Sequence, residues 1–226
     1  MTGASLPTGC RRFFFVGGTF DPVHLAHISL PSAARAVSGM TDACLLFVPA
    51  ARSPFKADRP RASDEDRVAM LRLAIREVPH AAVWTDEIDR AARTNAPSYT
   101  IDSLDRLRAA AEHSAEIRLL IGADQAASFH KWREPRRIMQ LAPPLVLLRG
   151  SDADSLAAML RASGFWTQPE LDRWAACVVP TPLSPINSTR LRELLASSDP
   201  ASEPELLAGL DPAVLGYIRA HGLYGR

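Results

Sequence analysis

A short apolar run that ends in two glycines restricts the possible folds more than any other part of this chain. Residues 13–16 predict a buried strand, and Gly17-Gly18 follow it directly. Asp21-Pro22 is typical of a helix start, so a helix is predicted over residues 22–37. A strand that passes through a glycine turn into a helix is the first half of a βαβ unit, which belongs to a parallel sheet.

The same alternation continues along the chain. Further strands are predicted over residues 43–48, 81–85, 117–121, 144–148 and 176–179, and helices over 63–78, 98–112, 155–160, 188–196 and 211–221. Strands separated by helices predict an α/β fold with a parallel sheet flanked by helices. The length of 226 residues favours one domain over residues 1–226. Ligands of such sheets bind beyond the carboxyl ends of the strands, so function is expected in those loops.

Composition excludes several classes of protein. The formal net charge of +1 argues against a nucleic-acid binder that works by bulk electrostatics. No apolar run approaches the roughly 18 residues of a membrane span, and residues 1–12 lack the apolar core of a signal peptide. Cys10, Cys44 and Cys177 are far apart and not in metal-ligand spacing. They are interpreted as idle thiols of a reducing compartment, so a cytoplasmic protein is expected.

The loop after the first strand has the properties of a phosphate site. Gly17 and Gly18 allow a ligand to approach the backbone closely, and the helix start presents free N–H groups and a positive dipole end. His24 and His27 are three residues apart, so they share a face of the helix and can donate hydrogen bonds to anionic oxygens. The alternatives are a tight turn with two surface histidines, or a zinc site, which the lack of nearby Cys or Glu disfavours.

This eleven-residue block, GGTFDPVHLAH, resembles the nucleotidyltransferase signature GGTFDPxHxGH. The signature belongs to adenylyl- and cytidylyltransferases with a Rossmann-like fold. Ala26 stands where the signature has glycine, and its small side chain suits a tight fit. The resemblance implies that His24 and His27 are catalytic. It also implies an ATP site that includes Gly17, Gly18, Thr19, Phe20, His24 and His27.

A second phosphate site is predicted near the end of the chain. Ser188 or Thr189 suits the N-cap of the helix predicted over residues 188–196, and Arg192 follows one turn later, as in a phosphate cradle. The segment resembles the late family motif ISSTxIR, with Asn187 in place of a serine and Leu191 in place of an isoleucine. The resemblance implies that Ser188, Thr189 and Arg192 hold the β- and γ-phosphates of ATP, with Arg192 among the catalytic residues.

Three middle segments point to the acceptor. They are Asn-Ala-Pro-Ser-Tyr-Thr at residues 95–100, Ile-Gly-Ala-Asp at residues 121–124, and Trp132. Singly they suit a helix start, a strand exit and a core residue. As an ordered set they are similar to the bacterial nicotinate-nucleotide adenylyltransferases, which carry APSYT, IGxD and a downstream tryptophan. This resemblance covers nearly the whole chain and is weakest over residues 150–174.

The resemblance implies roles for these residues. Asp124 would hold the ATP ribose, and Gly122 would belong to the ATP site. The nicotinate end would be lined by Tyr99, Thr100 and Trp132, and backbone N–H groups near Thr100 and Trp132 would receive its carboxylate. The remaining acceptor contacts would come from Lys56 and Arg149. Phe55 replaces a histidine of the family's Pro-Pro-His-Lys segment and cannot donate its hydrogen bond.

The implied reaction joins ATP, with Mg²⁺, to nicotinate mononucleotide, giving nicotinate adenine dinucleotide and pyrophosphate. No metal ligand from the protein and no nucleic-acid or membrane partner are expected, and an oligomer is compatible with the sequence. The alternatives are another acceptor, such as nicotinamide mononucleotide or phosphopantetheine, or a non-catalytic ATP sensor in which Ala26, Phe55 and Asn187 mark decay. A fragment of a class I aminoacyl-tRNA synthetase is disfavoured by the short chain and by the lack of a KMSKS-like loop.

Overall fold

The computed structural model describes residues 6–51, 60–94, 97–111, 114–148, 152–182, 186–197 and 199–225. Its strands are β1 Arg12–Gly18, β2 Cys44–Pro49, β3 Ala81–Val83, β4 Glu116–Gly122, β5 Pro144–Leu147 and β6 Val178–Val179. Its helices are α1 Leu25–Val37, α2 Asp64–Ile75, α3 Asp86–Thr94, α4 Thr100–Ala110, α5 Ala123–Ala127, α6 Pro135–Leu141, α7 Ala153–Ala162, α8 Gln168–Ala176, α9 Ser188–Ala196, α10 Glu203–Gly209 and α11 Pro212–Ala220.

The six strands form one sheet with the order β3-β2-β1-β4-β5-β6. All pairs are parallel, and Phe13 of β1 lies opposite Cys44 on one side and Ile117 on the other. This is the Rossmann strand order, in which the direction of winding reverses between β1 and β4. The predicted α/β class is confirmed. The carboxyl ends of β1 and β4 therefore flank the crevice where such sheets bind ligands.

Helices cover both faces of the sheet, so the core has two parts, one on each face, and β1 and β2 are buried on both sides. Phe14 and Val16 pack on one face, with α1, α2, α9 and α11. Phe13 and Phe15 pack on the other face, with α4 to α8. Strands of a parallel sheet that is covered on both sides are continuously apolar, which explains the Phe-Phe-Phe-Val run. This packing fixes the end of β1, from which the first loop leaves.

The helices predicted over residues 63–78 and 211–221 are confirmed, and each begins at a capping side chain. The Ser63 side chain accepts from the amide of Asp66 at the start of α2, and Asp211 accepts from the amide of Ala213 at the start of α11.

The helix predicted from residue 22 begins instead at Leu25, because the loop before it takes a non-helical path. Helices α3, α5, α6, α8 and α10 were not predicted; α3 buries Glu87 where an amphipathic helix would present an apolar residue.

The cysteines differ from the sequence interpretation. Cys10 and Cys44 form a disulfide with a Cα–Cα distance of 6.2 Å, and Cys177 is a free thiol whose pKa burial raises. The interpretation of all three as idle thiols is therefore wrong for the first pair. Phe13 lies opposite Cys44 in the sheet, so the segment before β1, which carries Cys10, passes close to the start of β2. The two cysteines are 34 residues apart in the sequence, so the sequence alone does not show that they are neighbours.

Over the described ranges, no helix is long and apolar enough to cross a membrane.

Candidate active site

A cavity of about 290 Å³ opens beyond the carboxyl ends of β1 and β4. This volume is close to the lower limit of about 300 Å³ for small-molecule sites. The first loop and α1 form one wall, and the segments after β4 and before α4 form the other. The predicted site residues among its lining are Gly17, Gly18, Thr19, Phe20, His27, Tyr99, Thr100, Gly122, Asp124 and Trp132.

The first loop has a backbone that only certain residues allow. Phe20 adopts a φ of 51°, in the left-handed region, and its side chain is 2% exposed. A Cβ on Gly18 would lie 2.9 Å from Cζ of Phe20, so glycine is required there. The Phe20 ring packs edge-on against His27 at 5.0 Å between centroids. From beneath, the buried guanidinium of Arg67 donates a 2.6 Å hydrogen bond to the carbonyl of Thr19.

The two histidines of the loop are stacked. His24 is the N-cap of α1 and is 3% exposed. Its amide donates to Nδ1 of His27 at 3.2 Å, and the ring centroids are 3.6 Å apart at an angle of 20°. Because Nδ1 of His27 accepts, the proton of its neutral ring resides on Nε2. His27 lines the cavity and can offer that proton to a ligand, while His24 lies buried beside it.

Asp21 connects the loop to two distant segments. Its carboxylate is 6% exposed and accepts from the amides of Arg61 at 2.8 Å and Ala62 at 3.1 Å. It also accepts a 2.7 Å bond from the hydroxyl of Tyr224. Burial and this bond raise the pKa of Tyr224, so the hydroxyl stays protonated and donates. Three donors thus compensate the buried carboxylate.

The start of α9 docks onto the backbone of the same loop. Asn187 is the N-cap and accepts from the amide of Arg190 at 2.9 Å. Ser188 donates to the carbonyl of Pro22 at 3.0 Å, and Arg192 donates to the carbonyl of Asp21 at 2.6 Å. Arg192 also donates to Thr189 Oγ1 at 3.2 Å. The two predicted phosphate segments, distant in sequence, are therefore adjacent in space.

The exit of β4 holds a carboxylate at the cavity. A Cβ on Gly122 would lie 2.7 Å from Oδ1 of Asp124, so the absence of a side chain makes room for this carboxylate. The amide of Gly122 donates to the Gln125 side chain at 3.1 Å. Asp124 lies in the first turn of α5 and lines the cavity, a position suited to ribose hydroxyls.

The opposite wall is aromatic. Tyr99 is the N-cap of α4, and Trp132 stacks on Phe129 at 4.7 Å between centroids. The amide of Trp132 is engaged by the Phe129 carbonyl at 3.0 Å. Arg133 places its guanidinium carbon 5.1 Å above the centre of the Tyr99 ring. Tyr99, Trp132 and Arg133 all line the cavity, so this wall offers flat surfaces and one cation.

A buried carboxyl lies behind the aromatic wall. Glu87 is 6% exposed, lines the cavity, and accepts a 2.8 Å hydrogen bond from Ser103. Burial raises its pKa, while the hydroxyls of Ser103 and Ser98 act in the opposite direction. The carboxyl joins α3 to α4, whose start carries Tyr99 and Thr100.

The sequence analysis missed four residues of this region. It did not identify Glu87, Arg133, the carboxylate role of Asp21, or Tyr224. Arg133 directly follows Trp132, which was the available signal, whereas nothing in the sequence links Tyr224 to Asp21. Lys56, Phe55 and Arg149 lie outside the described residues. Within the described segments, no group of three or more His, Cys, Asp or Glu side chains is arranged to hold a metal ion.

The sequence matches a known family over most of its length. The family model described as cytidylyltransferase-like matches residues 15–194. A probable nicotinate-nucleotide adenylyltransferase of Xylella fastidiosa is 33% identical over 223 residues, which cover 93% of this chain and 95% of the relative. One from Pseudomonas fluorescens is 36% identical over 223 residues, which cover 95% of this chain and 97% of the relative.

The fold is also similar to that of a solved structure. It is Plasmodium falciparum nicotinic acid mononucleotide adenylyltransferase complexed with NaAD, with a TM-score of 0.66 over 95% of this chain and 97% of that one. The sequence identity is 15%, so this likeness concerns the fold.

Proposed function

Because the chain belongs to the cytidylyltransferase-like family and, within it, to the nicotinate-nucleotide adenylyltransferases, we propose that it joins ATP and nicotinate mononucleotide. The products are nicotinate adenine dinucleotide and pyrophosphate, and the reaction is a step of NAD synthesis. The observation that supports this most is the shared cavity of His27, Asp124 and Trp132. His27 can donate a hydrogen bond to a phosphate, Asp124 can accept hydrogen bonds from ribose hydroxyls, and Trp132 offers a flat surface to an aromatic ring.

The reaction needs no nucleophilic side chain. A phosphate oxygen of the acceptor attacks the α-phosphorus of ATP, and the bond from that phosphorus to the oxygen bridging to the β-phosphate breaks. The acceptor phosphate is already an oxyanion, so the protein contributes positioning and charge stabilisation.

His27 is the residue closest to this chemistry. Its Nε2–H is directed by the bond that Nδ1 accepts from the His24 amide. A donor held in this way can stabilise charge that develops on the α-phosphate without reorganising. In our proposal His24, stacked on the same ring, holds His27 and helps it to stabilise the charge that develops on the phosphates.

The leaving pyrophosphate would lie toward α9. Ser188 and Arg192 both contact carbonyls of the first loop, which sets the distance between the two phosphate segments. Arg192, with Thr189 beside it, supplies charge for the β- and γ-phosphates.

Mg²⁺ would accompany the triphosphate. The described residues offer no cluster of three acidic or histidine ligands. We propose that phosphate oxygens and water hold the ion, as they commonly hold Mg²⁺. The ion would supply further charge neutralisation to the phosphates.

The acceptor's pyridine ring would lie against Tyr99 and Trp132. The carboxylate would receive N–H groups near Thr100 and Trp132. The amides of Lys131 and Trp132 themselves already donate to the carbonyls of Ser128 and Phe129. Lys56 and Arg149 remain candidates for the acceptor phosphate. We also propose a cytoplasmic location, with no nucleic-acid partner, and one nucleotidyltransferase domain over residues 1–226.

The test is pyrophosphate release from ATP and Mg²⁺ with nicotinate mononucleotide, nicotinamide mononucleotide and phosphopantetheine offered separately. We expect turnover with the first to exceed turnover with the others. Preference for another acceptor would retain the histidine chemistry and reject this acceptor. ATP binding without release from any acceptor would favour the sensor alternative.

A further inference from the structure

We propose that the guanidinium of Arg133 selects the carboxylate of the acceptor's pyridine ring over a carboxamide. The proposal rests on the proposed function and adds to it the side chain that makes the acceptor choice. Family resemblance gave this residue no role, and it follows Trp132 directly.

The charge balance of the cavity supports the proposal. In the described part of the chain, Arg133 is the one arginine or lysine that lines the cavity, together with the two carboxyl groups of Glu87 and Asp124. A ligand carboxylate would therefore meet a single side-chain cation on this wall. Without that cation, two acidic side chains would disfavour an anionic ring substituent.

The position of Arg133 assigns it to the ring end of the acceptor. The acceptor phosphate must reach the α-phosphorus near His27, on the first-loop wall. Arg133 lies on the opposite, aromatic wall, with its guanidinium carbon 5.1 Å above the centre of the Tyr99 ring. A guanidinium that is stacked on an aromatic face keeps its N–H edges free for a planar carboxylate.

The guanidinium N–H groups of Arg133 are also available for a ligand, whereas those of Arg136 and Arg137 form hydrogen bonds within the protein. Its ion pairs are loose, at 3.9 Å to Asp102 and 4.0 Å to Glu134. Within the described ranges its guanidinium makes no hydrogen bond. Arg136, by contrast, donates to Glu170 at 2.6 Å, and Arg137 donates to Asp105 at 2.7 Å and to Glu134 at 3.2 Å.

The chemistry of the two acceptors explains the selectivity. A carboxylate presents acceptor atoms only, which match the donor-only guanidinium in a bidentate pair. A carboxamide has the same shape but no charge. Its NH₂ group is a hydrogen-bond donor, so it cannot accept a hydrogen bond from the donor-only guanidinium of Arg133. Arg133 should therefore favour the acid through substrate binding.

The experiment compares kcat and KM for nicotinate and nicotinamide mononucleotides in the wild type, Arg133→Gln, Arg133→Lys and Arg137→Gln. Arg137 is the matched control, because it is a nearby exposed arginine with an ion pair to the same Glu134. We expect Arg133→Gln to lower kcat/KM for the acid by about tenfold, mainly through KM, as for a lost charged hydrogen bond on an exposed residue. Values for the amide should stay within about twofold.

The lysine variant separates charge from geometry. Arg133→Lys keeps the charge but loses the planar fork, so its preference should lie between those of the wild type and Arg133→Gln. Arg137→Gln should keep the wild-type preference, and thermal unfolding of each variant reports its folding.

Two results would overturn the proposal while leaving the function intact. One is an unchanged preference in Arg133→Gln, and the other is an equal loss for both acceptors, which would point to the shared phosphate or to structure. A wild type that turns over neither nucleotide would instead reject the proposed function, and with it this role of Arg133.

Discussion

The hydroxyl of Tyr224 donates a 2.7 Å hydrogen bond to Oδ1 of Asp21, across a sequence separation of 203 residues. Oδ1 also accepts from the amide of Ala62 at 3.1 Å, and Oδ2 accepts from the amide of Arg61 at 2.8 Å. The turn after α11 thus supports the loop that carries the histidines. A side chain outside the cavity lining therefore helps to fix the shape of the proposed phosphate site.

Removing this hydroxyl should affect both stability and ATP binding. Tyr224→Phe keeps the ring but leaves Oδ1 of Asp21 with one donor, so we expect a loss of about 1 kcal/mol in unfolding free energy and a higher KM for ATP. Tyr217→Phe is the matched control, because its hydroxyl donates to Asp66 at 2.9 Å, at the start of α2. Denaturant unfolding and ATP kinetics measure the two effects. An equal change of KM in both variants would show that the Asp21 bond has no special role.

His27 should be required for chemistry more than for folding. His27→Ala removes the Nε2 donor, so we expect kcat to fall by on the order of 100-fold, as for loss of an oxyanion donor. His221→Ala is the control, since His221 is exposed and stacks on Tyr217. Steady-state kinetics at saturating ATP give the answer. A kcat near the wild-type value in His27→Ala would remove this residue from the catalytic set.

Two arginines of α9 should respond differently to substitution. Arg192 donates to the Asp21 carbonyl at 2.6 Å, whereas Arg190 pairs with Glu205 at 2.9 Å on the surface. Arg192→Ala should lower kcat/KM for ATP roughly tenfold or more, as for loss of a charged hydrogen bond. Arg190→Ala should change it by less than about twofold. Similar losses in both would indicate a general effect of disturbing the helix.

The pH dependence of stability should include a contribution from Glu170. The Arg136 hydrogen bond, with help from the Thr167 amide, lowers the pKa of Glu170 from 4.5 to about 2. The folded state therefore favours the charged form. Its contribution is present above pH 4.5 and is lost as the pH falls toward 2.

Glu170→Gln tests this contribution by denaturant unfolding between pH 7 and pH 3. The stability difference from the wild type should be constant near neutrality and should shrink below pH 4.5. Glu193→Gln, which removes a loose pair of 3.8 Å with Arg190, should show little difference at any pH. A Glu170→Gln difference that grows on acidification would contradict the sign of the pKa shift.

The disulfide should be dispensable for catalysis. Cys10 and Cys44 lie at the amino ends of β1 and β2, whereas the cavity lies beyond the carboxyl ends. Cys10→Ser, or treatment with a reductant, should leave kcat and KM unchanged. Thiol titration of the denatured chain should find one thiol before reduction and three after it. Activity that depends on reductant would show that the two ends of the strands are coupled.

The parts of the fold with local signals could be predicted from the sequence. The first strand carries an apolar run, α9 begins and ends where its pattern indicates, and α11 lies within the range predicted for it. Helix α3 was missed because its buried residue is Glu87, and a carboxyl is a residue type that sequence patterns assign to the surface. The Cys10–Cys44 bond and the Tyr224 contact depend on residues brought together by the sheet, and a pattern within one window does not contain that information.

The docking of α9 onto the first loop has a consequence for how the protein matures. The contacts of Ser188 with Pro22 and of Arg192 with Asp21 span 166 and 171 residues. Contacts of such high sequence separation form late, because the closure of long chain segments precedes them. Until residue 192 has left the ribosome, the nascent chain therefore lacks part of the site that we propose for the triphosphate. Acquisition of ATP affinity during synthesis should mark the moment at which the nascent chain has folded.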